Sequence, residues 1–174
     1  GPENIMQASL QLDLFDPEVP EAWKIGIYFR PSAAYWINKN NELRKLAKEY
    51  ISFLEKGGKI AENKKMQTIL DKINSEHHQL NEMVYQESLA LIQKNKIPAV
   101  VGGEHSVPLG LLKALSETYS EFGVLHIDAH MDLRESYEGF TFSHASIFNN
   151  AVKSGYVKQL VQVGIRDFCE QEDE

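Results

Sequence analysis

Residues 122–148, FGVLHIDAHMDLRESYEGFTFSHASIF, constrain this chain more than any other stretch. They open with an apolar run, Phe122 to Ile127, that reads as a buried strand, and then place Asp128, His130 and Asp132 at every second position. Packing does not explain three ligand-type side chains at the end of such a strand. Two carboxylates held close together repel, and with an imidazole they form a set that can converge on a divalent cation. The ordinary alternative is an Asp serving as turn residue or helix cap and a His that is only hydrogen-bonded. A second stretch favours the cation. Residues 97–103, IPAVVGG, read as another buried strand, and Glu104 and His105 follow directly. Two strands that each deliver a His at the carboxyl end match open parallel α/β sheets, where ligands bind outside those ends.

The rest of the chain supplies the elements such a sheet needs. Residues 1–20 form a turn-rich entry, with Asp16-Pro17 and Val19-Pro20 favouring extended or turn geometry. Residues 23–29, WKIGIYF, have the β-branched and aromatic character of a strand, and residues 30–40 read as a loop. Leu43, Leu46, Ala47, Tyr50, Ile51 and Leu54 recur at helical spacing, which predicts a helix over 41–56 stopped by Gly57-Gly58. A longer helical stretch covers 62–95, with a candidate break at Asn74-Ser75. Its His77 and His78 point about 100° apart and cannot share a ligand face, so both are read as surface residues. Met66 and Met83 are read as core filler. Further elements are a helix over 107–119, a strand over 122–128, a short helix over 145–154 and a strand over 159–165. Strands alternating with helices predict a parallel sheet with helices on both faces, within one domain spanning 1–174.

Composition excludes several classes. The net charge of −7 and pI near 5.4 disfavour a nucleic-acid partner. The same negative field suits a cationic substrate. Cys169 is the only cysteine, so there is neither a disulfide framework nor a thiolate metal cluster, and it is read as passive. No apolar run approaches the roughly 20 residues of a membrane span, and no signal-peptide pattern opens the chain, so a cytoplasmic location is expected.

GGEHS (102–106), HIDAHMD (126–132) and FSHAS (142–146) resemble, in order and spacing, three motifs of the ureohydrolases, the family of arginase, agmatinase and formimidoylglutamase. VQVGIR (161–166) resembles the strand that follows in agmatinase-like members. The resemblance covers the chain and is most specific over 100–166. It implies an α/β three-layer arginase-like fold, a parallel sheet with helices on both faces, incomplete in this chain. The family's later motif, a serine followed by spaced aspartates, would supply two further metal ligands, and Glu174 comes before it. GPENI (1–5) resembles the middle of an early family segment, or is a cloning remnant at its first two residues.

Residue by residue, the resemblance implies that His105, Asp128 and Asp132 hold one Mn²⁺ and that Asp128 and His130 hold a second, with Asp128 bridging. Nitrogen and carboxylate donors suit Mn²⁺ better than thiolate-seeking metals. A water shared by two such ions loses a proton near neutrality and can attack a trigonal guanidinium carbon. His144 resembles the family histidine that hands a proton to the leaving amine, a task fitted to an imidazole. His126 receives no role, and Gly102 and Gly103 are read as permitting close backbone approach. Arg134 and Tyr137 sit in the loop expected to set specificity. FSHAS points to agmatinase more than arginase, giving putrescine and urea from agmatine. The DLR of 132–134 keeps formimidoylglutamase open, and a homo-oligomer is expected when the protein is full length. The competing enzyme class is a one-zinc deacetylase of related fold, which has no use for His105 and Asp132. The competing non-enzyme is a truncated chain that folds without turnover. With four of six family ligands matched, the chain as it stands is expected to bind Mn²⁺ poorly and to catalyse little or nothing.

Overall fold

The computed structural model describes residues 1–173. Contacts group them into two compact units, Gly1–Glu42 and the remainder from Leu43 onward. The first unit contains helix α1 (Pro2–Ser9), a 3-10 turn at Ala22–Ile25 and the start of helix α2 (Ala34–Glu55). Pro2 sits in the first turn of α1, where its missing N–H costs nothing. Helix α2 begins inside the segment expected to be a loop, three residues past Pro31, because proline restricts itself and the residue before it but not the residues that follow.

The second unit carries the core. Helix α3 (Lys64–Ile92) runs without a break through Asn74-Ser75. The Asn63 side chain caps its N-terminus by accepting the Met66 N–H at 3.2 Å. Asn74 does not cap a new helix. Its amide reaches outward, donating to Gly139 O and accepting from Thr141 N, each at 3.1 Å, and so ties down the loop after the acidic motif. Met66, Ile69 and Ile73 bury against Tyr50 of α2, while Tyr85 and Ile92 bury against Ala114 of helix α4 (Leu109–Thr118). Helices α3 and α4 approach so closely that a Cβ on Gly110 would stand 2.3 Å from Asn81 O. His77 is not a surface residue. It is half-buried, its Nδ1 is enclosed without a hydrogen-bond partner, and burial pushes its pKa down. His78 is exposed and meets Phe142 edge-on.

Strands β1 (Gly123–Ile127) and β2 (Gln159–Val163) form a two-stranded parallel sheet in which Val124 pairs with Leu160 and His126 with Gln162. Between them run a 3-10 turn at His144–Ser146 and helix α5 (Ile147–Lys153). One sheet face packs on a cluster of Leu109, Leu112, Ile147, Phe148, Ala151 and Val157, joined by Val124 and Leu160. On the other face Leu125, Ile127, Val161 and Val163 are exposed, so the expected helices on both faces give way, among the described residues, to helices on one. The short helix α6 (Glu170–Asp173) follows.

Two expected strands are not formed. Residues 23–29 make a 3-10 turn and then irregular backbone, and residues 97–103 are irregular throughout. Both have β-forming side chains, but neither pairs with a strand among the described residues, and a lone strand leaves its backbone groups unpaired. Ile97 is 94% exposed. No helix is long and apolar enough to cross a membrane among the described residues.

Candidate metal centre

The polar residues gather where β1 ends. Beyond Ile127 the chain leaves the sheet, but Asp128 N still donates to Val163 O at 3.1 Å, which fixes where Asp128 begins. Its Oδ1 accepts the His130 backbone N–H at 2.9 Å, a turn that aspartate is built to make. That bond, with help from the charge on His105, holds its pKa below the usual carboxylate range. Asp132 adopts the left-handed region at φ +57°, a conformation that short polar side chains tolerate better than most. Its carboxylate is buried and lies 2.6 Å from His105 Nδ1. This bond raises the His105 pKa, against the opposing effect of burial.

Side chains of His105, His126, Asp128 and Asp132 each bring a ligand atom within 4.8 Å of the others. They are the single such cluster among the described residues. His105 Nδ1 is 3.6 Å and His126 Nε2 3.8 Å from Asp128 Oδ2. His130 lies outside the four and faces the opposite oxygen of Asp128, with Nδ1 3.3 Å from Oδ1. Its exposed ring also approaches Asp167, Nε2 to Oδ2 at 3.7 Å. His144 also lies outside: its exposed ring stands 5.7 Å from that of Tyr137, and its Nδ1 is 4.0 Å from Glu104 Oε2. Glu104 is held in turn by the Ser106 hydroxyl. Arg134 turns its guanidinium to Glu172 and Tyr137. Gly102 packs against Val107, where a Cβ would come within 2.4 Å of Cγ2, whereas Gly103 has open space around it.

His126 takes a part that its sequence position alone does not assign. Gln162, its register partner on β2, donates its amide to Met131 O at 2.7 Å and lies 2.9 Å from His126 Nδ1. A carbonyl can only accept, so the amide nitrogen faces both groups and Nδ1 of a neutral His126 must accept. The proton then sits on Nε2, which is buried without a hydrogen-bond partner and lies 3.8 Å from Asp128 Oδ2. Burial, reinforced by the nearby His105, lowers the His126 pKa and favours this neutral form. His126 makes no hydrogen bond to Asp128 and stands behind the cluster, whose other members are His105, Asp128 and Asp132. Alternation along a strand puts 126 and 128 on one face, but the Gln162 partner depends on a register the sequence does not print. Phe148 walls the site, with its ring 5.8 Å from that of His105 and 4.4 Å from that of His126.

Two carboxylates and an imidazole, with a buried N–H behind them and no thiol in the set, form a donor group fitted to a hard or borderline divalent cation.

The arginase family profile matches residues 1–174. The chain belongs to the arginase family. An agmatinase from Halalkalibacterium halodurans is 29% identical over 154 residues, covering 88% of this chain and 52% of that protein. Arginase 1, mitochondrial, from Arabidopsis thaliana is 37% identical over 91 residues, covering 51% of this chain and 27% of that protein. The solved arginase from Medicago truncatula superposes with a TM-score of 0.51 at 34% identity, over 54% of this chain and 30% of that one. The fold is therefore an arginase-like α/β fold with a small parallel sheet flanked by helices. The chain spans from about a quarter to about a half of the curated relatives it matches.

Proposed function

We propose that this chain contributes the His105, Asp128, His130 and Asp132 part of a manganese site in a hydrolase of linear amidines, with agmatine as the substrate. The observation that carries this reading is the convergence of His105 with both Asp128 and Asp132 at the end of β1. His130 on the far oxygen of Asp128 supports a second position, with Asp128 shared between the two. Mn²⁺ held there would supply positive charge and an acidified water able to attack a guanidinium carbon. Asp132 and Asp128 supply negative charge to the site. His144, exposed at the start of its turn, would hand a proton to the departing amine. The net charge of −7 favours approach of a cationic guanidino compound and disfavours nucleic acid. A cytoplasmic homo-oligomer that binds no membrane completes the reading.

Similarity to an agmatinase over 88% of this chain supports agmatine. The higher identity to a plant arginase over the shorter stretch favours arginine as the second reading. The full-length, manganese-loaded protein is to be assayed for urea release from agmatine and arginine, and for formamide release from formimidoylglutamate. Urea from agmatine alone is the expected result. Activity on none of the three, with hydrolysis of an acetylated amine, would overturn the reading in favour of a deacetylase.

A further inference from the structure

We propose that Glu172 is a positioning residue for the metal centre. Its buried carboxylate clamps the peptide between Asp132 and Leu133 and so aims the Asp132 carboxylate at His105. This rests on reading the cluster as a metal site. The peptide in question is held at both ends. Its carbonyl, on Asp132, accepts the Phe148 N–H at 3.0 Å. Its N–H, on Leu133, donates to Glu172 Oε1 at 3.2 Å. With both groups engaged the peptide plane cannot turn, and the left-handed backbone of Asp132 is fixed between them. Such a conformation persists only where its surroundings over-determine it.

The other Glu172 oxygen accepts the Cys169 N–H at 3.0 Å and Arg134 Nε at 3.3 Å. The Glu172 side chain is only 4% exposed, so a carboxylate that would be costly to bury alone is satisfied by three donors. The plainer reading is a capping glutamate in the first turn of α6, reaching back to Cys169. That reading accounts for one of the three bonds. The other two cross 39 and 38 residues, to the amide directly after Asp132 and to the next side chain. Local capping requires neither.

The test compares Glu172→Ala, Glu172→Asp and Glu172→Gln with the unaltered protein. Three readouts are followed: the ¹⁵N resonance of His105 Nδ1 without metal, hydrogen exchange at the Leu133 amide, and Mn²⁺ affinity by electron paramagnetic resonance. Glu172→Ala should lose the signature of the His105–Asp132 hydrogen bond, speed Leu133 exchange and weaken Mn²⁺ roughly 10–100-fold, as loss of a ligand's supporting partner does. Glu172→Gln keeps an acceptor oxygen for Leu133 and should restore most of the signature. Glu172→Asp, one methylene shorter, should fall between them. An unchanged His105 signature in Glu172→Ala, or Glu172→Gln as impaired as Glu172→Ala, would overturn the clamp. Should the alanine variant not fold, the aspartate variant decides on the same signature. If the unaltered protein takes up no Mn²⁺, the metal reading falls, and the metal-free His105 signal still decides the clamp.

Discussion

Two apolar runs of similar sequence character lead into the candidate site and meet different fates. Residues 123–127 pair with β2 along their whole length. Residues 97–103 pair with nothing among the described residues, and Ile97 stands almost entirely in solvent. The ends of the runs differ accordingly. Asp128 and Asp132 are tied by backbone bonds to Val163 and Phe148. His105 is positioned chiefly by its partner Asp132 and by the Phe148 ring. Apolar and β-branched residues make a strand possible. A neighbour to receive the backbone bonds makes it a strand, and that neighbour is a property of the whole fold.

The largest effect should come from the wall shared by both runs. Phe148 is buried and touches the rings of His105 and His126, so Phe148→Ala should cost about 3–5 kcal/mol in urea denaturation. A cost below 1 kcal/mol would mean that the cluster is less tightly built than its contacts say.

Next comes a pair of glycines, one behind each run. Gly164 lies at φ +92°, and a Cβ there would stand 3.1 Å from Asp128 O. Gly164→Ala should destabilise by about 1–3 kcal/mol and displace Asp128. Gly103, with open space around it, should accept alanine within about 0.5 kcal/mol. Equal costs at the two positions would erase the contrast.

A smaller effect links the runs through protonation. Asp132 raises the His105 pKa above its ordinary 6.5. The raised value means that the folded state binds the proton more tightly than the unfolded chain. The resulting stability is fully present below pH 6.5 and is lost as pH rises through the folded value. Metal-free protein should therefore lose some stability as pH rises above 6.5, and Asp132→Asn should flatten that slope. The site is part-exposed, so solvent screening keeps the effect modest. A slope unchanged by Asp132→Asn would separate His105 from Asp132. Smallest of all, Ile97→Ala should change stability by no more than about 0.5 kcal/mol, since little is buried there to lose.

Helices α2 to α5 were legible because their signal is local, whereas α1 formed within a segment read as a turn-rich entry. The repeat of Met66, Ile69 and Ile73 marks the buried side of α3, and the same logic finds α2, α4 and both strands of the sheet. Asp128 and Asp132 were legible as ligand-type residues, and the structure gathers them with His105. What the sequence hid is long-range. Gln162 sets the His126 proton through strand register, and Glu172 reaches Leu133 across 39 residues. The enclosed ring of His77 was hidden for the same reason, since helical periodicity does not say which neighbour closes over it. The two unformed strands were misread because their local signal was sound and their partners were a matter of topology.

The central claim is that His105, Asp128 and Asp132 form a cation site. Titration with Mn²⁺, followed by loss of the free-ion paramagnetic signal, tests it most directly when the protein is compared with a variant carrying both Asp128→Ala and Asp132→Ala. The account predicts that the unaltered chain takes up one ion, weakly and saturably, and that the double variant takes up none over the same range. Equal uptake by the two proteins, or no uptake by either, would contradict it.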